Sequence, residues 1–197
     1  MNLMNEFAEP AASKSISVSD PGVGGIRVKD LCDRDRRRLL MHFLELDDHG
    51  KLLRFGQASE DESITRYVQR MNLGHGAVFG IYNDKHNLIG VGHLAFVSRE
   101  ALPAAASITC NQRVAEFGIS VSPAARGAGI GTKLFNRAAT HCRNAGIDVV
   151  YMHCPPSDLM LAHIASKAGM QPCTTEDNGG LYLKLFPVRF TGNRCDE

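Results

Sequence analysis

Tryptophan is absent from the 197 residues, and the aromatics together make up only 7%. The aliphatic pattern must therefore define the core. Charge of one sign is lacking as well: Lys+Arg 22 against Asp+Glu 21 leaves +1. That balance excludes a bulk electrostatic pull toward nucleic acid or an anionic membrane. No apolar run approaches the ~18 residues that a membrane span needs. The six cysteines (32, 110, 142, 154, 173, 195) form no C-x-x-C pair, and the eight histidines form no H-x-x-x-H or H-E-x-x-H pattern. A zinc or dithiol motif is thereby missing, and no metal is expected. The first residues show no charged stretch followed by an apolar one. The expectation is a cytoplasmic protein with reduced, mostly buried thiols.

What is present fits one domain with a proper core. Residues 1–24, rich in Ser, Ala, Gly and Pro, are expected to be a flexible tail, 25–190 a single domain and 191–197 a second tail. A short strand is expected at Ile26–Val28. Leu39, Leu40, Phe43 and Leu44 recur at helical spacing, and the run 34-RDRRR-38 ahead of them is a solvated helix face. Residues 47–57 are polar with some aromatic character and are expected to be a loop. Ser59-x-x-Glu62 has the form of a capping box for a helix whose face is Ile64, Tyr67, Val68 and Met71.

The period then changes. Residues 77–82 and 88–97 predict an antiparallel hairpin across the turn-rich 83-NDKHN-87. In 113-RVAEFGISV-121, Ala115, Phe117, Ile119 and Val121 alternate with Glu116, Gly118 and Ser120, which predicts a strand. Ile130, Leu134, Phe135, Ala138, Ala139 and Cys142 form one helical stripe that Gly146 ends. Residues 147–154 predict a buried strand, Ser157 to Lys167 a last helix, and 171–175 with 180–186 a closing hairpin. The resulting order is β-α-α-β-β-β-α-β-α-β-β, an α/β (α+β) chain mixing hairpins with crossovers.

The stretch 121-VSPAARGAGIGTKLF-135 carries the chemistry. Glycines at 127, 129 and 131 precede a helix, where unpaired N–H groups and the positive end of the dipole favour an anion. A P-loop register G-x-x-x-x-G-K-[ST] fails here, because Thr132 stands between Gly131 and Lys133. A dinucleotide fingerprint G-x-G-x-x-G fails too: the third glycine comes one residue early and the loop follows a late strand.

Arg126-x-x-Gly129-x-Gly131 resembles the acyl-CoA-binding signature of the GNAT acetyltransferases, Q/R-x-x-G-x-G/A. Val121, Pro123, Gly127, Ile130 and Leu134 extend the match, as do Ala115-Glu116 before it and Lys167-Ala-Gly169-Met170 after it. The resemblance implies a mixed sheet of about six to seven strands flanked by about four helices. It also implies acetyl-CoA as co-substrate and transfer of the acetyl group to an amine. The amides of Gly127, Ala128, Gly129, Ile130, Gly131 and Thr132 would bind the pyrophosphate beside Arg126. Ile119, Ser120 and Val121 would offer backbone to the pantetheine arm where two strands splay. One of those amides could polarise the thioester carbonyl. Gly118 would mark a bulge that opens the strand.

Glu116, on the polar side of its strand, is the candidate base that takes the amine's proton through water. Strand order and pairing with a cation are its alternative roles. The family's proton donor is a tyrosine four residues before its Gly-Phe; here Ala165 stands there, and Met170 replaces the Phe. Ser157, His153 and Tyr151 are nearby in sequence, Asp158 suits a helix start, and no acid is assigned. His153-Cys154 is not a nucleophile pair, because strand neighbours face opposite ways. The acceptor would enter over 47–57, where Asp47 and Asp48 suit a cationic amine and Arg54 suits a carboxylate or phosphate. A small-molecule amine is favoured over a protein, with a homodimer left open and no nucleic acid or membrane partner. A CoA-binding regulatory module that has lost turnover is the second reading, favoured by the missing tyrosine. A nucleotide-binding oxidoreductase is a third.

Overall fold

The computed structural model describes residues 27–55, 59–74, 77–96, 112–152, 159–167, 171–174 and 181–184. Seven strands form one sheet in the order β1-β2-β3-β4-β5-β7-β6. They are β1 Val28–Asp30, β2 Val78–Tyr82, β3 Leu88–Phe96, β4 Val114–Val121, β5 Val149–Met152, β6 Gln171–Thr174 and β7 Leu181–Lys184. Every neighbouring pair is antiparallel except β4 and β5. Five α-helices accompany them: α1 Arg36–Leu44, α2 Asp48–Phe55, α3 Asp61–Arg70, α4 Ile130–Asn144 and α5 Leu159–Lys167. Helices α1 to α3 cover one face of the sheet and α4 with α5 the other.

The α4 face holds the tighter core. Ile130, Leu134, Phe135, Ala138, Ala139 and Cys142 are all buried, the stripe expected from spacing. They meet Phe79, Ala115, Phe117, Val150 and Met152 of the sheet. Each large side chain so buried contributes about 1.5–3 kcal/mol. The helix ends as its glycine requires. Gly146 has φ +66°, its N–H donates to Arg143 O at 3.2 Å, and Ile147 N–H donates to Cys142 O at 2.9 Å. That is the left-handed 6→1 and 5→2 closure. On the opposite face Leu39, Phe43, Ile64, Val68 and Met71 close over Val78, Leu88 and Val91.

Four local expectations are corrected. The first strand lies at Val28–Asp30, where it pairs with Phe79–Ile81. The start of the first helix is a short 3₁₀ turn at Asp33–Asp35, and α1 begins at Arg36. Helix α3 takes Glu60, one residue after Ser59, as its N-cap, without a side-chain cap bond from Glu60. Residues 48–55 are a helix. Asp47 starts it: its carbonyl accepts from Lys51 N–H at 2.9 Å, and its Oδ1 accepts from Gly50 N–H at 2.8 Å.

The 34–38 cluster has more internal bonding than a solvated face. Arg36 donates to Met71 O at 3.1 Å and to Val68 O, satisfying orphan carbonyls at the end of α3. Arg34, Arg37 and Arg38 remain exposed. Cys32 and Cys142 are free thiols, and burial pushes that of Cys142 up to about 12.

Candidate active site

The glycine loop leads directly into α4. Gly129 is the N-cap residue, with φ +75°, and makes no side-chain cap bond. The amides of the first turn at Ile130, Gly131 and Thr132 are thus left without a capping side chain. Gly127 is also left-handed, at φ +78°. A Cβ at either position would meet nothing within 4 Å. The loop is held in a shape that glycine favours, with open space in front of its backbone. Gly131 serves packing instead. A Cβ there would lie 3.0 Å from Ile164 Cδ1, so the glycine lets α5 pack against α4.

How closely the start of α4 sits on the sheet is set by a strand glycine. A Cβ on Gly90 of β3 would lie 2.5 Å from Ile130 Cγ2 and 3.1 Å from Leu134 Cδ1. The indentation at Gly90 seats the first turn of α4 against the strand.

Strands β4 and β5 pair in parallel only at Val114↔Val149, Ala115↔Val150 and Glu116↔Tyr151 among the described residues. Strand β4 runs on to Val121, and its other edge stays paired with β3 throughout. The parallel pairing of the described residues ends at Glu116↔Tyr151, and β4 runs five residues further, through Ile119, Ser120 and Val121. Ile119 and Val121 pack toward the α4 core. Glu116 is half-buried at the fork, and its rung partner Tyr151 lies on the same face of the sheet.

The pairing of β3 with β4 keeps its register from Gly90↔Val121 to Phe96↔Ala115. Gly118 is therefore not a bulge. A Cβ there would lie 2.9 Å from both Cζ and Nη1 of Arg54. The glycine makes room for a guanidinium. Arg54, in the last turn of α2, is buried at 7% exposure. Its Nη2 donates to Tyr67 Oη, and Tyr67 lies 2.9 Å from His93 Nδ1. The rings of Phe43, Phe55 and Tyr67 surround it with centroids at 5.5, 5.3 and 5.2 Å.

Ser120 turns its hydroxyl toward α1. Its Oγ lies 2.8 Å from His42 Nε2, and His42 Nδ1 lies 2.9 Å from Leu88 O. A carbonyl can only accept, so Nδ1 carries the proton and Ser120 donates to Nε2. Burial, followed by the charge of Arg54, lowers His42 to about 4. The same two causes lower His93 to about 3.

Arg126 leaves the loop sideways. Its Nη1 and Nη2 donate to Asp47 Oδ2 and Oδ1 at 2.8 and 2.6 Å. This bidentate bond lowers Asp47 to about 2. The carboxylate that starts α2 thus also grips the glycine loop. No group of three metal-ligating side chains is close enough to hold a metal ion among the described residues. No helix among them is long and apolar enough to cross a membrane.

The sequence model of the Acetyltransferase (GNAT) family matches residues 30–170. The chain belongs to the GNAT family. Solved GNAT structures share its fold. The GNAT domain of S. lividans PAT superposes with a TM-score of 0.68 at 19% identity, covering 82% of this chain and 90% of that one. The spermidine N-acetyltransferase of Vibrio cholerae, in complex with CoA and spermine, gives 0.55 at 18% identity, covering 81% and 92%. The ribosomal-protein-S18-alanine N-acetyltransferase of Escherichia coli gives 0.55 at 11% identity, covering 88% and 100%. No curated relative matches this GNAT chain.

Within the GNAT fold the structure brings the residues from Glu116 to Thr132 into one strand–loop–helix unit. Ala165 lies on α5. His153, Cys154, Ser157, Asp158 and Met170 lie outside the described residues. The sequence offered Asp47 for a cationic amine and Arg54 for a carboxylate or phosphate on an expected loop; the structure puts Asp47 at the start of α2, bonded to Arg126, and Arg54 in its last turn. Nothing in the sequence signalled that His42 would meet Ser120, or that Tyr67 and His93 would meet Arg54.

Proposed function

We propose that this GNAT chain is an acetyl-CoA-dependent N-acetyltransferase acting by direct attack in a ternary complex. The observation that carries the reading is the uncapped α4 N-terminus. It presents amides past Gly127 and Gly129, beyond a strand whose parallel pairing ends, among the described residues, at Glu116. Backbone amides from Gly127 to Thr132 would hold the pyrophosphate, with little need for lysine charge. The backbone of Ile119 to Val121 would pair with the pantetheine arm. Acetyl-CoA then supplies the acyl group as a thioester.

The acceptor amine attacks the thioester carbonyl carbon. As the C–N bond forms, an amine proton passes through water to Glu116. The C–S bond breaks, and the CoA thiolate leaves and is protonated from solvent. Ala165 removes the family's usual donor from α5. The same substitution supports a second reading, a CoA-binding module with little turnover.

Acetyl-CoA should raise the melting temperature under both readings. Release of CoA thiol across an amine panel should occur only if the chain is an enzyme, and protection without release would establish the module. Gly129→Val should weaken CoA binding at least tenfold. A β-branched residue is strained at φ +75°, and its side chain fills the space before the amides. Unaltered CoA affinity in a calorimetric titration of that variant would contradict the site.

A further inference from the structure

Resting on the CoA-binding part of that reading, we propose that Asp47 is a positioning residue for acetyl-CoA. Through Arg126 it holds the glycine loop in the shape whose amides take the pyrophosphate, and the Arg126 side chain serves this anchor rather than the phosphate. The first support is what the loop lacks. It is fastened at both ends: Ser122 N–H donates to Ile89 O at 2.9 Å, and Ile130 is buried where α4 begins. Between them, residues 126–129 are exposed, and a Cβ at Gly127 or Gly129 would meet nothing within 4 Å. Packing does not hold that stretch, and its two glycines allow it many other shapes. Among the described residues, Arg126 is the side chain of 123–129 that hydrogen-bonds to another element. A loop fixed before its ligand arrives loses less entropy on binding.

The second support is the quality of the anchor. Nη1 and Nη2 of Arg126 donate to Asp47 Oδ2 and Oδ1 at 2.8 and 2.6 Å, a fork that fixes direction as well as distance. Asp47 is itself held. Its Oδ1 accepts from Gly50 N–H at 2.8 Å and its carbonyl from Lys51 N–H at 2.9 Å, so the carboxylate is built into the start of α2. The Arg126 and Asp47 side chains are 38% and 42% exposed. A pair so placed adds little to global stability, and its effect falls on the loop it holds.

The third support is Gly50. It is buried within a helix, where glycine is unfavourable. A Cβ on it would lie 2.8 Å from Asp47 Oδ1 and 3.0 Å from Arg126 Nη2. The helix gives up a side chain at the spot where the guanidinium meets its carboxylate.

The test is calorimetric titration of the full chain with acetyl-CoA. Asp47→Asn keeps a capping oxygen and removes the charged fork, and its Kd should be about fivefold weaker. Gly50→Ala should weaken binding likewise, with an unliganded melting temperature no lower than the parent's. Alanine is the better helix former, and the atoms it displaces are side-chain ends. A role in stability alone would move the melting temperature and leave the Kd. Arg126→Gln should match Asp47→Asn, and the double variant should stay within about twofold of either. Should Asp47→Asn fail to fold, Gly50→Ala decides in its place, and parental affinity there overturns the proposal. Weak binding by Arg126→Gln with parental binding by Asp47→Asn would put the guanidinium on the phosphate and also overturn it. Tighter binding by Asp47→Asn would do the same, since the carboxylate would then compete with CoA for Arg126. In each of these cases the CoA site stands. No binding by the parent chain would remove both.

Discussion

Glu116→Gln is expected to lower kcat roughly 100- to 10,000-fold, the range for removing a positioned general base. The loss should be greatest at low pH. There the acceptor is held as an ammonium ion, and the protein must carry its proton away. As pH rises toward the amine's own pKa the free base forms without help, and the difference between the variant and the parent should narrow. The CoA Kd should stay within twofold, because the pyrophosphate amides lie beyond the far end of β4 from Glu116. A pH–rate profile for Glu116→Gln that parallels the parent's would remove the carboxylate from the proton path. It would then be a structural acid at the β4–β5 fork.

Acidification from pH 7 to pH 5 should destabilise the fold well before carboxylates titrate. His42 and His93 have folded pKa values of about 4 and about 3, against an ordinary 6.5. Depressed histidines bind fewer protons folded than unfolded, so stability rises with pH between the two values. It is fully present above 6.5 and is lost as pH falls toward 4 and below. At pH 5 the loss is on the order of 2 kcal/mol for each histidine. Urea midpoints at pH 7, 6 and 5 would show it. Asp47 is held at about 2 and gives nothing in this window. His42→Gln should be less stable at pH 7, with a flatter dependence below it. Equal midpoints at pH 7 and pH 5 in the parent would mean that neither imidazole is buried in solution.

The fold was most legible where apolar spacing set the structure. The α4 stripe emerged residue for residue, because each member packs into one continuous core. The alternation in β4 placed Ala115, Phe117, Ile119 and Val121 on the α4 side. Helix α2 was illegible for a physical reason. Its buried positions are Gly50 and Arg54, while Leu52 is 46% exposed, so apolar periodicity points the wrong way. Its one usable signal was Asp47 ahead of Gly50, a capping acid that a loop also tolerates. The glycine loop was visible because glycines at fixed spacing leave a mark in one short stretch. The Arg54, Tyr67 and His93 cluster leaves none, since its members are 13 and 26 residues apart and meet only through packing.

Helix α2 has one further consequence. Asp47 and Arg54 are seven residues apart, a rotation of about 700°, so they emerge on nearly the same side two turns apart. One end is fastened to the glycine loop and the other to the strand floor. A single inserted residue between them would swing one anchor by about 100° and release it. Length variation in this segment should therefore survive only in whole turns. The distance between the glycine loop and the guanidinium is thereby a ruler cut in helical units.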